Sequence, residues 1–263
     1  MRNLFAIICS VLLCGCVAGQ PDPQGLDPLQ LPVIGGTLPQ DLQLDGNYLL
    51  SADLQVPVGL TLTIKPGTTI YIQPSDSTKI DPEFLSREVE VLVRGSLQAV
   101  GTSEKPIVFK PVSDDPRAIL WSGLQLIDTE QVHLAHVVIE QAEAGVLCMN
   151  ASPQIRYLQV RRSRYGVLLQ QQSKPLIRDS LITDGEAGFF CWDQSAPQVS
   201  GSRIIDQQEE GLYIGRECQG VFSSNLIKGN DRGVVLPDGV AFASSNRLID
   251  NRQTFQHYPG GQE

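Results

Sequence analysis

Apolar residues recur along most of this chain in short runs of alternating polarity, and the runs themselves recur with a period of about 22 residues. Gly123, Gly145, Gly166, Gly188, Gly211 and Gly233 mark the beat at spacings of 22, 21, 22, 23 and 22, each opening a run such as Gly166-Val-Leu-Leu or Gly211-Leu-Tyr-Ile. Pro153, Pro175 and Pro197 repeat at 22, and Val160, Ile182, Ile204, Ile227 and Ile249 close successive units. A fixed period of this length signals a repeat architecture. Each period holds three strand-like segments separated by Gly, Pro, Ser, Asn and Asp, which leaves no room for an ordinary helix, so each period predicts one β-coil. A leucine-rich repeat is excluded because its Leu-x-x-Leu-x-Leu-x-x-Asn signature is missing.

Parity assigns the faces. The first and third residues after each glycine are apolar in all six coils: Leu124, Val146, Val167, Phe189, Leu212 and Val234, then Leu126, Cys148, Leu169, Cys191, Ile214 and Leu236. These point inward. Burying such a side chain contributes about 1.5–3 kcal/mol, and a coil overcomes its ordering entropy only when neighbouring coils cover it. The second residue after each glycine is then outward: Gln125, Leu147, Leu168, Phe190, Tyr213 and Val235. Parity predicts an exposed apolar stripe there, with Trp192 alongside. Such a stripe suits either a groove for sugar rings or a protein partner, or else a seat for the tether or a loop.

Upstream the period loosens but the same grammar persists, in Leu60-Thr-Leu-Thr-Ile-Lys-Pro-Gly67, Thr69-Ile-Tyr-Ile72, Val89-Glu-Val-Leu-Val93 and Pro106-Ile-Val-Phe109. Tyr48 to Ile72, followed by Val91 to Phe109, resembles the opening coils of bacterial right-handed parallel β-helix repeat proteins of the pectin-lyase-like superfamily. That resemblance implies an all-β, single-stranded right-handed parallel β-helix of eight to nine coils over residues 41–263. At ~4.8 Å per coil the rod is about 40 Å long. Members of the superfamily include polysaccharide lyases and hydrolases, adhesins and surface proteins, so the fold does not choose an activity.

The ends add a location. Met1-Arg2 and the apolar run Leu4 to Leu13 read as a signal peptide over 1–15, too short to span a bilayer. Leu13-Cys14-Gly15-Cys16 resembles a bacterial lipobox, which implies acylation of Cys16 and attachment to the membrane through that lipid; Val17, where an inner-membrane retention signal would have Asp, implies the outer membrane. Residues 16–40, with five prolines, predict an extended tether. A formal net charge of -9 argues against nucleic acid as a partner.

Candidate chemistry is sparse. Glycoside hydrolysis needs two carboxyl groups across the scissile bond. The acids on offer, Asp179, Asp184, Glu186, Asp193, Asp206, Glu209 and Glu210, sit at turns where acids are expected, and the Gly-His-Gly signature of polygalacturonase-like members is absent. No catalytic residue is assigned. Three histidines, and Met149 as the sole methionine beyond Met1, make a poor copper set, although periplasmic copper-binding relatives share this fold; no metal or cofactor is expected. Cys148 and Cys191 share a ladder slot two coils apart, beyond disulfide reach, and Cys218 falls four residues past that slot, so all three read as buried thiols. Arg156 and Arg178 share an outward slot on adjacent coils, either solvated or holding an anion. The candidate ligand-binding residues are therefore Leu147, Leu168, Phe190, Trp192, Tyr213, Arg156 and Arg178. The reading is a non-catalytic, lipid-anchored envelope protein binding polysaccharide or an envelope protein partner through an outward sheet face, with a polysaccharide lyase or glycoside hydrolase as the alternative.

Overall fold

The polar residues between apolar runs turn out to be corners. In a representative coil the strands are Gln154–Arg156, Gln159–Arg161 and Tyr165–Gln170, and left-handed residues turn the chain between faces, one at each of the first two corners and two, Gln171 and Gln172, at the third. Tyr157 (φ 54°) makes the first corner, Arg162 (φ 52°) the second and Gln171 (φ 52°) the third. One residue at positive φ costs about 1–2 kcal/mol unless it is glycine, with Asn and Asp the better tolerated alternatives. Most corner columns use those types: Asp128 and Asn150, Asp184, Asp206, Gly229 and Asp250, Asp179 and Gly201.

What offsets that cost is backbone pairing between coils. The corner amides of Tyr157, Arg162 and Asp179 each donate to the carbonyl one coil on, Arg178 at 3.1 Å, Thr183 at 3.2 Å and Ser200 at 3.0 Å. Just inside the corners, polar side chains stack into columns that receive the remaining amides. Leu158 N–H donates to Ser180 Oγ (3.2 Å), Ser202 N–H to Asn225 Oδ1 (2.9 Å) and Asn225 N–H to Asn246 Oδ1 (3.0 Å). At the second corner Gln207 N–H donates to Asn230 Oδ1 (2.9 Å) and Asn230 N–H to Asn251 Oδ1 (3.1 Å). At the third, Ala151 N–H donates to Ser173 Oγ (3.2 Å), which explains the Ser or Ala two residues before each repeating proline. Buried amides that leave a strand need such partners.

The computed structural model describes residues 27–75 and 87–259. The signal segment, Cys16 and the first part of the tether lie outside them. Among the described residues there is no α-helix, and no helix long and apolar enough to cross a membrane. The first face is an eight-stranded parallel sheet; the second and third faces form a continuous eighteen-stranded sheet. Together they make a β-solenoid of about ten turns with a 22-residue period. The sequence predicts eight to nine, and the difference lies at the ends. Val33–Thr37, assigned to the tether, pairs in parallel with Asn47–Val56 (Val33↔Leu49, Thr37↔Gln55), and Arg247–Ile249 with Gln253–Tyr258 adds a last part-turn. The tether's five prolines mask the strand because Gly35 and Gly36 interrupt its apolar pattern.

Every residue assigned inward by parity lies in the main core. The repeating glycine marks the point where the third strand kinks, so that Ala144 joins an outer cluster while Val146 joins the core, with a register irregularity between them. A side chain is excluded there by close approach. A Cβ on Gly166 would stand 2.2 Å from Ile182 Cγ2, and one on Gly188 would stand 2.2 Å from Gly211 O and 2.5 Å from Ile204 Cγ2. From Gly145 to Gly188 the glycine and the Val or Ile of the next coil, Val160, Ile182 or Ile204, are thus two halves of one packing contact.

Cys191 and Cys218 form a disulfide, with Cα atoms 5.6 Å apart, which corrects the expectation of free thiols. The four residues between the ladder slot and Cys218 reverse the chain instead of advancing it: Gly215 N–H donates to Cys191 O (2.8 Å) and Cys218 N–H to Gly215 O (3.0 Å). A crosslink across 27 residues contributes about 3–4 kcal/mol in the chain-entropy account. Cys148 remains a fully buried thiol, and burial pushes its pKa up. At the C-terminal end Phe255, stacked in register on Val234, is 38% exposed and packs on Phe242 at 6.0 Å between ring centroids.

Gly188→Ala should destabilise the fold by about 1–3 kcal/mol through overpacking, read as a lower urea midpoint. An unchanged midpoint would show that neighbouring coils spread without penalty.

Candidate functional site

Outward columns follow from the pairing register. On the third face one column runs Gln55, Leu92, Gln125, Leu147, Leu168, Phe190, Tyr213, Val235 and Gln256. The expected stripe is there, but most of it is not exposed: Leu147 is 0% accessible, Leu168 1% and Phe190 9%. These side chains form a second apolar cluster with Ile127, Ala144, Met149 and Ala187, against which Tyr165, Trp192 and Tyr213 pack. Parity states which way a side chain leaves its strand; it does not state whether aromatic neighbours close over it.

Those neighbours define what stays accessible. Phe190 meets Tyr165 edge-on at 5.2 Å and Trp192 at 5.1 Å, and stacks on Tyr213 at 5.0 Å. Tyr213 in turn stacks on Tyr258 at 5.8 Å with planes 7° apart. Trp192, Tyr213 and Tyr258 are half-buried and line a cleft of about 390 Å³ whose rim carries Asp193, Arg216 and Glu217. The Tyr258 hydroxyl donates to Ile214 O (2.9 Å), and burial together with its contact to Tyr213 pushes its pKa up to about 12. It stays a neutral donor at any physiological pH. Neither Tyr165 nor Tyr258 falls in the glycine-counted slot, so the spacing marks Tyr258 as a residue closing the C-terminal end and does not place either ring beside the stripe.

Arg156 and Arg178 are in register and exposed, as the sequence predicts, but they leave the first face. The fold does not bring them to the aromatic cleft.

The acidic residues are divided. Asp184, Glu186 and Asp206 line a cleft of about 500 Å³ beside Pro116, Arg162 and Arg164. Arg164 bridges Glu143 (2.9 Å) and Glu186 (3.3 Å), and Arg162 pairs with Glu140 (2.7 Å). Glu209 and Glu210 are held by Arg232, at 3.4 and 2.8 Å, and Arg252 pairs with Asp231. Burial raises the Glu210 pKa, with Arg232 opposing it. Asp179 and Asp193 line two further clefts.

Metal donors are equally dispersed. His133 Nδ1 meets Gln98 Nε2 at 3.2 Å on the first face, His136 stacks on Tyr157 at a corner, and His257 lies on the terminal strand against Phe255. Met149 is in the outer apolar cluster, and Cys148 points into the core. Among the described residues no three His, Cys, Asp or Glu side chains form a group fit for a metal ion.

Because Leu168 is packed and not exposed, Leu168→Ala should cost about 2–5 kcal/mol, the range of a core cavity, in a denaturant melt. A loss below 0.5 kcal/mol, as roughly expected of a surface position, would mean that the cluster is open.

Known proteins add two comparisons. The chain is 35% identical over 89 residues to Protein bark beetle of Drosophila melanogaster, an overlap covering 33% of this chain and 2% of that protein. No solved structure matches. Residues 70–260 match the model of the family described as periplasmic copper-binding protein (NosD), which spans most of the solenoid, and the chain belongs to that family.

Proposed function

We propose that this chain is a non-catalytic protein of the bacterial cell envelope that binds polysaccharide at the aromatic end of its outer third face. The observation that carries the reading is the cleft bounded by Trp192, Tyr213 and Tyr258. Sugar rings dock their apolar faces on aromatic rings while their hydroxyls meet a polar rim, here Asp193, Arg216 and Glu217. An envelope protein is the other partner expected for this face. A stable protein interface needs roughly 800 Å² from each side. The closed packing over Leu147 and Leu168 removes the apolar centre such an interface would use, which favours a glycan.

The enzymatic alternative draws less support. A glycosidase sets two carboxyl groups about 5–10 Å apart across one bond. In this chain Asp184, Glu186 and Asp206 share a cleft, but beside Arg162 and Arg164, with Glu186 paired to Arg164, and Glu210 is paired to Arg232. A glycan array probed with the full chain, followed by product analysis on each hit, separates the readings. Retention of an intact glycan, weakened about tenfold by Trp192→Leu, is the expected result. Release of shortened products would replace binding with cleavage.

Copper enters only through the family's description. The histidines, Met149 and Cys148 stand in different parts of the fold, and Cys191 and Cys218 are joined, so among the described residues the donor set does not fit a copper ion and no copper chemistry is assigned. The periplasmic description does agree with an envelope location. Anchoring through a lipid on Cys16, at the outer membrane, is part of the proposal. Cells fed radiolabelled palmitate should label the wild-type chain and not Cys16→Ala; label retained in the variant would remove the anchor.

A further inference from the structure

The corner column between the first and second faces runs His136, Tyr157, Asp179, Gly201 and Ser224, at φ of 50°, 54°, 52°, 64° and 57°. Small or locally hydrogen-bonding side chains suit that backbone, histidine among them, and a tyrosine ring does not. Two consecutive coils nonetheless place rings there. His136 and Tyr157 stack at 4.5 Å with planes 16° apart, and Tyr157 is still 42% exposed. Neither ring belongs to an apolar cluster, so packing does not account for them. A strained, exposed ring with no core role is the kind of outlier that marks a binding site.

Tyr157 borders a groove of about 360 Å³. The opposite wall carries Ser103 and Pro106, and its turn is held closed by Lys105 N–H donating to Thr102 Oγ1 (3.0 Å) and Thr102 N–H to Lys105 O (3.1 Å). Asp179, Gly201 and Arg203 also line it, as does His136 beside Tyr157. The Asp179 carboxylate lies along the corner over Gly201: a Cβ there would stand 2.6 Å from its Oδ1. The missing side chain gives the carboxylate its place in the groove. Asp179 and Arg203 are both exposed, one an acceptor and one a donor, with opposite charges that cancel. An aromatic platform flanked by such a pair, in a space near the lower limit for ligand pockets, matches one sugar ring.

We infer that this corner groove binds a single neutral pyranose unit, stacked on Tyr157 and hydrogen-bonded by Asp179 and Arg203. It stands apart from the outer-face cleft, and either site can fail alone. Saturation-transfer NMR on the full chain, with methyl glycosides of glucose, galactose, mannose and N-acetylglucosamine plus methyl glucuronate, tests it. At least one neutral glycoside binds. Tyr157→Asn, which tolerates positive φ, weakens binding by about tenfold while the melting temperature holds or rises, and Trp192→Leu leaves binding unchanged. Binding of the uronate alone, of none of the panel, or undiminished binding by Tyr157→Asn overturns the inference, as does loss on Trp192→Leu.

Discussion

Parallel hydrogen bonding between successive coils is the constraint from which the other features follow. A strand paired in register with its equivalent one turn away repeats not only its backbone but every side-chain position, so the protein becomes a set of columns. Each column must be chemically self-compatible at the strand spacing of about 4.8 Å. Aliphatics satisfy this inward, Ser and Asn satisfy it just inside the corners, and left-handed Asp, Asn or Gly satisfy it at the corners themselves. The glycine column obeys the same rule from the other direction: a Cβ at Gly166 or Gly188 would collide with both the Ile and the backbone of the next coil.

Because columns are set by period, much of the fold is legible in the sequence. The 22-residue beat, the inward parity and the common slot of Arg156 and Arg178 need only spacing, and each is found where spacing puts it. Spacing fails wherever the chain departs from uniform advance. Cys218 was placed as though four residues meant forward progress along the coil, whereas the turn at Gly215 folds it back onto Cys191. Val33–Thr37 was missed because its glycines break the apolar alternation, although its backbone pairs normally. The outer stripe was assigned the right direction and the wrong accessibility, since burial depends on Tyr165 and Trp192, residues outside the counted slots.

A columnar scaffold also limits where function can arise. A repeated position offers the same group every 22 residues, which suits an extended ligand better than the unlike groups that an acid and base pair require. The ion pairs show this: where acids stack, as at Glu186 and Glu209, arginines from neighbouring coils neutralise them. Unlike chemistry also appears where a column is interrupted, by the 102–106 turn beside Tyr157 or by the rings of the outer stripe.

Family membership constrains the scaffold more than the site for the same reason. The match over residues 70–260 spans most of the periodic part of the chain, whose glycine, aliphatic and corner positions the period itself demands. Metal coordination requires convergence of a few donors from different columns, which the period does not enforce. In this chain His133, His136 and His257 occupy a face, a corner and an end, and Met149 is enclosed among apolar side chains. The scaffold is therefore shared without a converging donor set among the described residues, and the aromatic residues proposed for recognition are ones that the repeat does not dictate.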